Sequence, residues 1–220
     1  MGLEFPIFAF THCRDVAAAV SKAGGLGVLG VAGHSLKNLR MELEWIENEV
    51  GDKPYGVDLL LPTKFAGSDR GGFDASQLDE RIPEEHRRFL DDLLEQHEVP
   101  ELPEDVRLAP EFAVGYEKQR DVIELVFEHN ISLIASALGP PPAWMIERGR
   151  EKGVKVAALA GTVEHARRHV EAGVDIVVAQ GYEAGGHTGE VSTMVLVPEV
   201  VDAVDPVPVL AAGGIGNGRQ

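Results

Sequence analysis

The chain has 220 residues, with 20 Lys and Arg against 36 Asp and Glu for a formal net charge of −16, and it is 44% hydrophobic and 25% charged. That is the composition of an ordinary globular protein, long enough for one large domain or two small ones. So acidic a surface repels phosphate backbones and anionic lipid, which excludes nucleic acid and membrane surfaces as expected partners, while the single cysteine, Cys13, excludes an intrachain disulfide.

The first segment, MGLEFPIFAFTHCRD, has no basic region leading into a long apolar run, and no stretch approaches the roughly 18 apolar residues of a membrane span. With one cysteine, the expectation is a cytoplasmic protein. Apolar runs then recur along the chain at 5–10 (FPIFAF), 25–30 (GLGVLG), 55–62 (YGVDLLLP), 131–139 (ISLIASALG), 154–161 (VKVAALAG), 174–181 (VDIVVAQG) and 207–214 (VPVLAAGG). They are apolar throughout, as strands buried on both faces of a parallel sheet are.

Between the runs lie helix signals. Leu36, Leu39, Leu43, Ile46 and Val50 follow helical spacing behind a Ser35 cap, and Thr162 caps a second helix with Val163, Ala166 and Val170 on its apolar side. Gly24, Gly153 and Gly173 stand where such helices hand over to the next strand, a place for a residue of positive φ. Residues 62–115 break the rhythm. They contain GSDRGG, several prolines and, from Asp79 to Asp105, eleven acids against three arginines, half of the net charge. Pro83 opens a helix there with Phe89, Leu90, Leu93 and Leu94 expected to turn inward and its charges to form a solvated face.

Seven strands alternating with helices fit either an eight-stranded β/α barrel or an open doubly wound sheet, and pattern alone leaves both open. Three motifs read as structural. Gly25, Gly27 and Gly30 match GxGxxG but lie inside an apolar run, as glycines do where a helix packs close behind a strand. His165 and His169 in HARRH have metal-pair spacing without the internal Glu of a zinc protease, and read as a solvated face; no metal is expected. Cys13 reads as a small packing residue.

The run VAQGYEAGGHTGE, 178–190, differs. A buried strand ends at Gln180 and enters a polar glycine loop at its carboxyl end, where β/α folds place their sites. Gly185 and Gly186 admit a flat ligand close to the backbone, and His187 stands beside it with a side chain that exchanges protons near neutral pH. An exposed His in a plain glycine loop accounts for composition equally well. The segment PVLAAGGIGNG, 208–218, favours a site, because a strand opening into glycines bares N–H groups that cradle a phosphate.

With these two motifs the sequence resembles the nitronate monooxygenase family, formerly 2-nitropropane dioxygenases, through FPIFAFTHCRDV, AVSKAGGLGVLG, YGVDLLLP, VKVAALAGT, HVEAGVDIVVAQGYEAGGHTGE and PVPVLAAGGIGNG. The resemblance implies an α/β fold of the TIM-barrel (β/α)8 type with flavin mononucleotide (FMN) as cofactor. It makes His187 the catalytic base toward a nitroalkane or nitronate, with molecular oxygen restoring the flavin. Gln180, Gly185 and Gly186 would contact the flavin, and Asp58 stands at a third-strand position where many relatives have Asn. Backbone at Ala9, Phe10 and Thr11 would lie against the ring, and Gly213 and Gly214 would bind the phosphate. Family members continue past AAGGI into an eighth strand and a second phosphate loop. The expectation is therefore one FMN-binding barrel domain, 1–220, incomplete at about seven strands, with 62–115 as an acidic helical insertion after strand 3 and FMN held weakly. A homo-oligomer is compatible with this reading. Two alternatives remain: an FMN-dependent enoyl-thioester reductase, and a non-catalytic remnant or assembly partner.

Overall fold

The computed structural model describes residues 1–62, 81–101 and 119–220. Seven strands run through them: β1 (Phe8–Thr11), β2 (Leu26–Gly30), β3 (Tyr55–Leu60), β4 (Leu133–Ala137), β5 (Lys155–Ala160), β6 (Ile176–Gln180) and β7 (Val209–Ala212). Seven α-helices accompany them among the described residues: α1 (Arg14–Lys22), α2 (Leu36–Val50), α3 (Glu84–Gln96), α4 (Arg120–Glu128), α5 (Ala143–Lys152), α6 (Val163–Ala172) and α7 (Thr193–Val204). The strands form one sheet in chain order, β1 to β7, and every pair is parallel. This is a β/α-barrel arrangement, seven strands of it. β3 pairs directly with β4, Asp58 opposite Ala135, so the long segment between them places no strand in between.

The sheet is buried on both faces, and this is why its strands do not alternate. Val57, Leu59, Ile134 and Val177 point toward the helices and join Leu43 and Ile123 in the larger core. Leu26, Val28, Leu133, Ala135, Ala157 and Ile176 form a smaller core on the opposite, inner face. The helix ends follow their sequence signals. Ser35 Oγ accepts from Asn38 N and Thr162 Oγ1 from His165 N, both at 3.2 Å. Gly24, Gly153 and Gly173 have φ of +94°, +71° and +99° at the three helix-to-strand junctions. The GxGxxG glycines serve packing: a Cβ on Gly27 would lie 2.0 Å from the Ala17 carbonyl oxygen, so α1 rests directly on β2.

The amino-terminal ends of the strands are tied by side chains. Glu47 near the end of α2 accepts from Asn130 N at 2.6 Å and from the Tyr55 hydroxyl at 3.2 Å, and it lies 3.3 Å from His129 Nδ1. Burial and the adjacent Glu47 charge push the Tyr55 hydroxyl upward, so it stays a donor. Asp175 accepts from Val156 N and from Lys155 Nζ, each at 2.9 Å.

Three expectations need correction. No residue of α3 is buried, and Phe89, expected to turn inward, is 69% exposed; helical spacing in a charge-rich segment identifies a face but supplies nothing to cover it. His169 is not on a solvated face: α6 turns it inward, 3% exposed, with Nε2 donating to Leu159 O at 3.0 Å, and burial holds its pKa below the usual value. Cys13 is exposed in the turn between β1 and α1 instead of packed. GSDRGG at 67–72, and Asp79, Glu80, Glu104 and Asp105 of the acidic run, lie outside the described residues.

Candidate functional site

β6 ends at Gln180, and the loop that follows folds back on itself. Gly181 N donates to Ala212 O of β7 at 2.9 Å, and Tyr182 N donates to Val191 O at 2.9 Å, which closes the loop at its base. A Cβ on Gly161, after β5, would lie 3.1 Å from the Gly189 Cα, so the loop also covers the end of the neighbouring strand. Helix α7 begins beneath it. Its N-cap residue, Ser192, makes no side-chain cap. Glu183 of the loop supplies one instead: its Oε2 accepts from both Thr193 N and Thr193 Oγ1 at 2.8 Å. These two bonds hold the Glu183 carboxyl below the usual carboxylate range, and a negative charge suits a helix N-terminus.

The loop after β7 meets this one. Gly213 and Gly214 have φ of +119° and +71°, a conformation that glycine adopts without strain. A Cβ on Gly213 would lie 2.6 Å from Thr193 Oγ1, and one on Gly214 would lie 3.4 Å from the Glu183 Cβ. Further on, Gly216 N and Asn217 N converge on one oxygen, Gln220 Oε1, at 2.6 and 3.1 Å. Successive N–H groups aimed at one acceptor form the kind of concavity that takes an anionic oxygen.

The candidate side chains of the β6 loop lie at its open side. Gln180 Nε2 donates a long 3.4 Å bond to Gly185 O, Gly186 has φ +75°, and a Cβ on Gly185 would meet nothing within 4 Å. His187 is exposed, and no group among the described residues holds its imidazole. It is free to meet a ligand.

The other flank of the site is made by β1 and β3. Ala9, Phe10 and Thr11 lie beside Gly27, Val28 and Leu29 of β2. Phe10 stacks edge-on against His12, with ring centroids 5.1 Å apart. Asp58, on β3 beside Gly30, is 7% exposed, its Oδ1 is buried without a partner, and burial raises its pKa to about 7. The structure thus joins Gln180, Gly185, Gly186, Gly213 and Gly214 in one loop cluster and sets Ala9, Phe10, Thr11 and Asp58 on a second flank, all toward the carboxyl ends of the strands.

Sequence reasoning missed Glu183, Thr193 and His12. The signal for the first two was an acid followed ten residues later by the start of a helix, which a local capping pattern does not cover. Among the described residues no cluster of three His, Cys, Asp or Glu is placed to hold a metal, and no helix is long and apolar enough to cross a membrane.

A family model for nitronate monooxygenase matches residues 6–220. A Mycobacterium tuberculosis protein named as a monooxygenase is 59% identical over 222 residues, covering 100% of this chain and 59% of its own length. A Staphylococcus saprophyticus protein named for nitronate monooxygenase is 32% identical, over 100% of this chain and 60% of its own. Among solved structures, FabK from Thermotoga maritima superimposes with a TM-score of 0.67 at 28% identity, covering 99% of this chain and 53% of that one. Nitroalkane oxidase from Streptomyces ansochromogenes gives 0.67 at 27% identity, covering 97% and 58%. The chain thus spans about three-fifths of the length of the curated relatives it matches. With a match over nearly all of its residues, the chain belongs to the nitronate monooxygenase family.

Proposed function

We propose that the protein oxidises alkyl nitronates with FMN as cofactor and molecular oxygen as acceptor, with His187 as the base that takes the α-proton from a neutral nitroalkane. The observation that carries this is the meeting of the His187 loop with the glycine loop after β7, joined through Gly181 N to Ala212 O at 2.9 Å. That meeting supports the reading, since it joins the loop that carries His187 to a glycine loop suited to an anion at the carboxyl end of a β/α sheet.

The residues fit the flavin in kind. The N–H groups of Gly216 and Asn217, now turned on Gln220 Oε1, suit a phosphate oxygen, and Gly213 and Gly214 supply the positive φ that turns the chain just before them. Gly185 and Gly186 expose backbone to a flat ring, Gln180 adds an amide, and Ala9, Phe10, Thr11 and Asp58 supply the opposite flank. When bound, FMN would accept the electrons of the oxidised substrate and pass them to oxygen. The chain's own share is to bind and orient, and to move a proton at the His187 imidazole. The substrate is a small nitronate or nitroalkane, the location cytoplasmic, and a homo-oligomer is compatible with this reading.

The test is His187→Asn. Turnover of a neutral nitroalkane should fall by about a hundredfold or more, while flavin content and melting temperature stay unchanged. A preformed nitronate, which has already lost its proton, should suffer less. Equal rates for the variant and the unmodified protein on both substrates would remove His187 from the chemistry. An enoyl-thioester reductase differs in its electron donor: rapid bleaching of the flavin by a reduced nicotinamide would favour it, and anaerobic bleaching only by a nitronate would favour the oxidation. Absence of flavin binding in a cooperatively melting protein would favour a non-catalytic role.

A further inference from the structure

Asp58 occupies a position that the fold does not explain. Along β3, Val57 and Leu59 face the helix-side core, so Asp58 faces the inner side of the sheet with Gly56 and Leu60. Its lateral neighbours on that side are Gly30 on β2 and Ala135 on β4, with Ala157 beyond. The row is made of small residues, and the carboxyl is the polar group left in it.

The groups that could neutralise a carboxylate there are engaged or lie elsewhere. On β4 the Ser136 hydroxyl turns to Gly139 O at 2.8 Å. The Lys155 ammonium that opens β5 is bound by Asp175 at the amino-terminal end of the sheet. From β1, the titratable group facing the row is His12, whose ring lies over Gly30: a Cβ there would come within 2.7 Å of the ring Cε1 and 2.8 Å of Nδ1. Asp58 Oδ1 remains buried with no partner. A buried ionised carboxylate without donors is costly, and burial accordingly raises the pKa to about 7. A neutral carboxylic acid carries one O–H donor, and nothing in the row accepts it.

We propose that Asp58 enters ligand binding as a protonated acid, donating its O–H to an acceptor atom, a carbonyl oxygen or unprotonated ring nitrogen, on the edge of a planar heteroaromatic ligand seated on the inner face of the sheet. This rests on the FMN reading and deepens it by making binding proton-linked. When the free protein carries the carboxylate, binding takes up one proton from solution, and that proton resides on Asp58 in the complex.

The sign of the linkage is fixed. Below pH 7 the acid is already formed, and affinity does not change with pH. Above pH 7 the free protein must be protonated to bind, and affinity falls by about tenfold per pH unit until the pKa of the complex is reached. Asp58→Asn supplies an N–H donor at every pH and abolishes the slope.

The experiment measures the dissociation constant of FMN by quenching of its fluorescence from pH 6 to 9, with no turnover involved. The expected result is a constant affinity to about pH 7 and about tenfold weakening per unit above it, against an Asp58→Asn variant that is flat over the whole range. An unmodified protein with equal affinity from pH 6 to 9 overturns the proposal and leaves the FMN reading standing. So does a slope that persists in Asp58→Asn, which moves the titration to another group such as His12. Failure of FMN to bind either protein at any pH overturns the FMN reading and this one with it. A ligand-free measurement checks the acid itself. A carboxyl whose folded pKa is raised contributes stability that is full below its unfolded value near 4 and is lost as pH rises through about 7. The melting temperature of Asp58→Asn should therefore gain on the unmodified protein between pH 5 and 8, and parallel profiles would overturn the proposal.

Discussion

At the amino-terminal end of the sheet Glu47 gathers Tyr55, His129 and Asn130, whereas at the carboxyl end His187 has no partner among the described residues and Asp58 keeps an orphan oxygen. Two glycines make a matching contrast. Gly27, low on β2, has no room for a Cβ, while Gly185, in the loop after β6, has open space where one would be. The Glu47 carboxylate and the bare Cα of Gly27 are used by the fold itself, whereas the His187 imidazole, the Asp58 Oδ1 and the space at Gly185 are not. This is the division of labour expected of a β/α barrel, with stability at the bottom face and chemistry at the top.

The strongest way to break the comparison is to place one methyl group at each end. Gly27→Ala drives a Cβ to 2.0 Å from the Ala17 carbonyl oxygen and should cost about 3 kcal/mol or more, enough to lose the cooperative melt at 37 °C. The next largest effect is expected of Glu47→Ala, which strands the buried Tyr55 hydroxyl and the Asn130 N–H. It should lower unfolding free energy in urea by about 2 to 4 kcal/mol and leave FMN affinity unchanged. Gly185→Ala should produce the smallest effect on stability, within about 0.5 kcal/mol, since its φ is not in the left-handed region and the Cβ meets nothing. If the backbone there touches a flat ring, the same methyl should weaken FMN binding severalfold, so the variant separates the two ends by a readout that Glu47→Ala does not move.

The strands and their order were readable in advance because a sheet covered on both faces needs continuous apolar runs; β2 to β7 each lie within one of the seven runs, and β1 extends one residue past the first, to Thr11. The caps at Ser35 and Thr162 were readable because they act within three residues of themselves. What could not be read is what depends on distant partners. His169 looks like one of several polar residues in HARRH until the rotation of α6 turns it toward the Leu159 carbonyl. Phe89 and its neighbours follow helical spacing, but periodicity does not say whether a second surface exists to receive them. At the site, the EAGGH and AAGG runs marked the right loops, while the Glu183 cap on α7 and the isolation of Asp58 emerge only when β3, β6, β7 and α7 are brought together.

The direct pairing of β3 with β4 has a consequence for how the chain folds. Every strand pairs with its successor in the chain, so most of the sheet is built from near neighbours and can grow step by step from its first residues. One closure is different: Leu60 to Leu133 is about four times as long a span as Ala137 to Lys155, which adds about 1 kcal/mol of loop-closure entropy at that step alone. The costliest single closure among the strand pairings therefore falls between the third and fourth strands, and it separates a parallel β/α unit of β1 to β3 from one of β4 to β7.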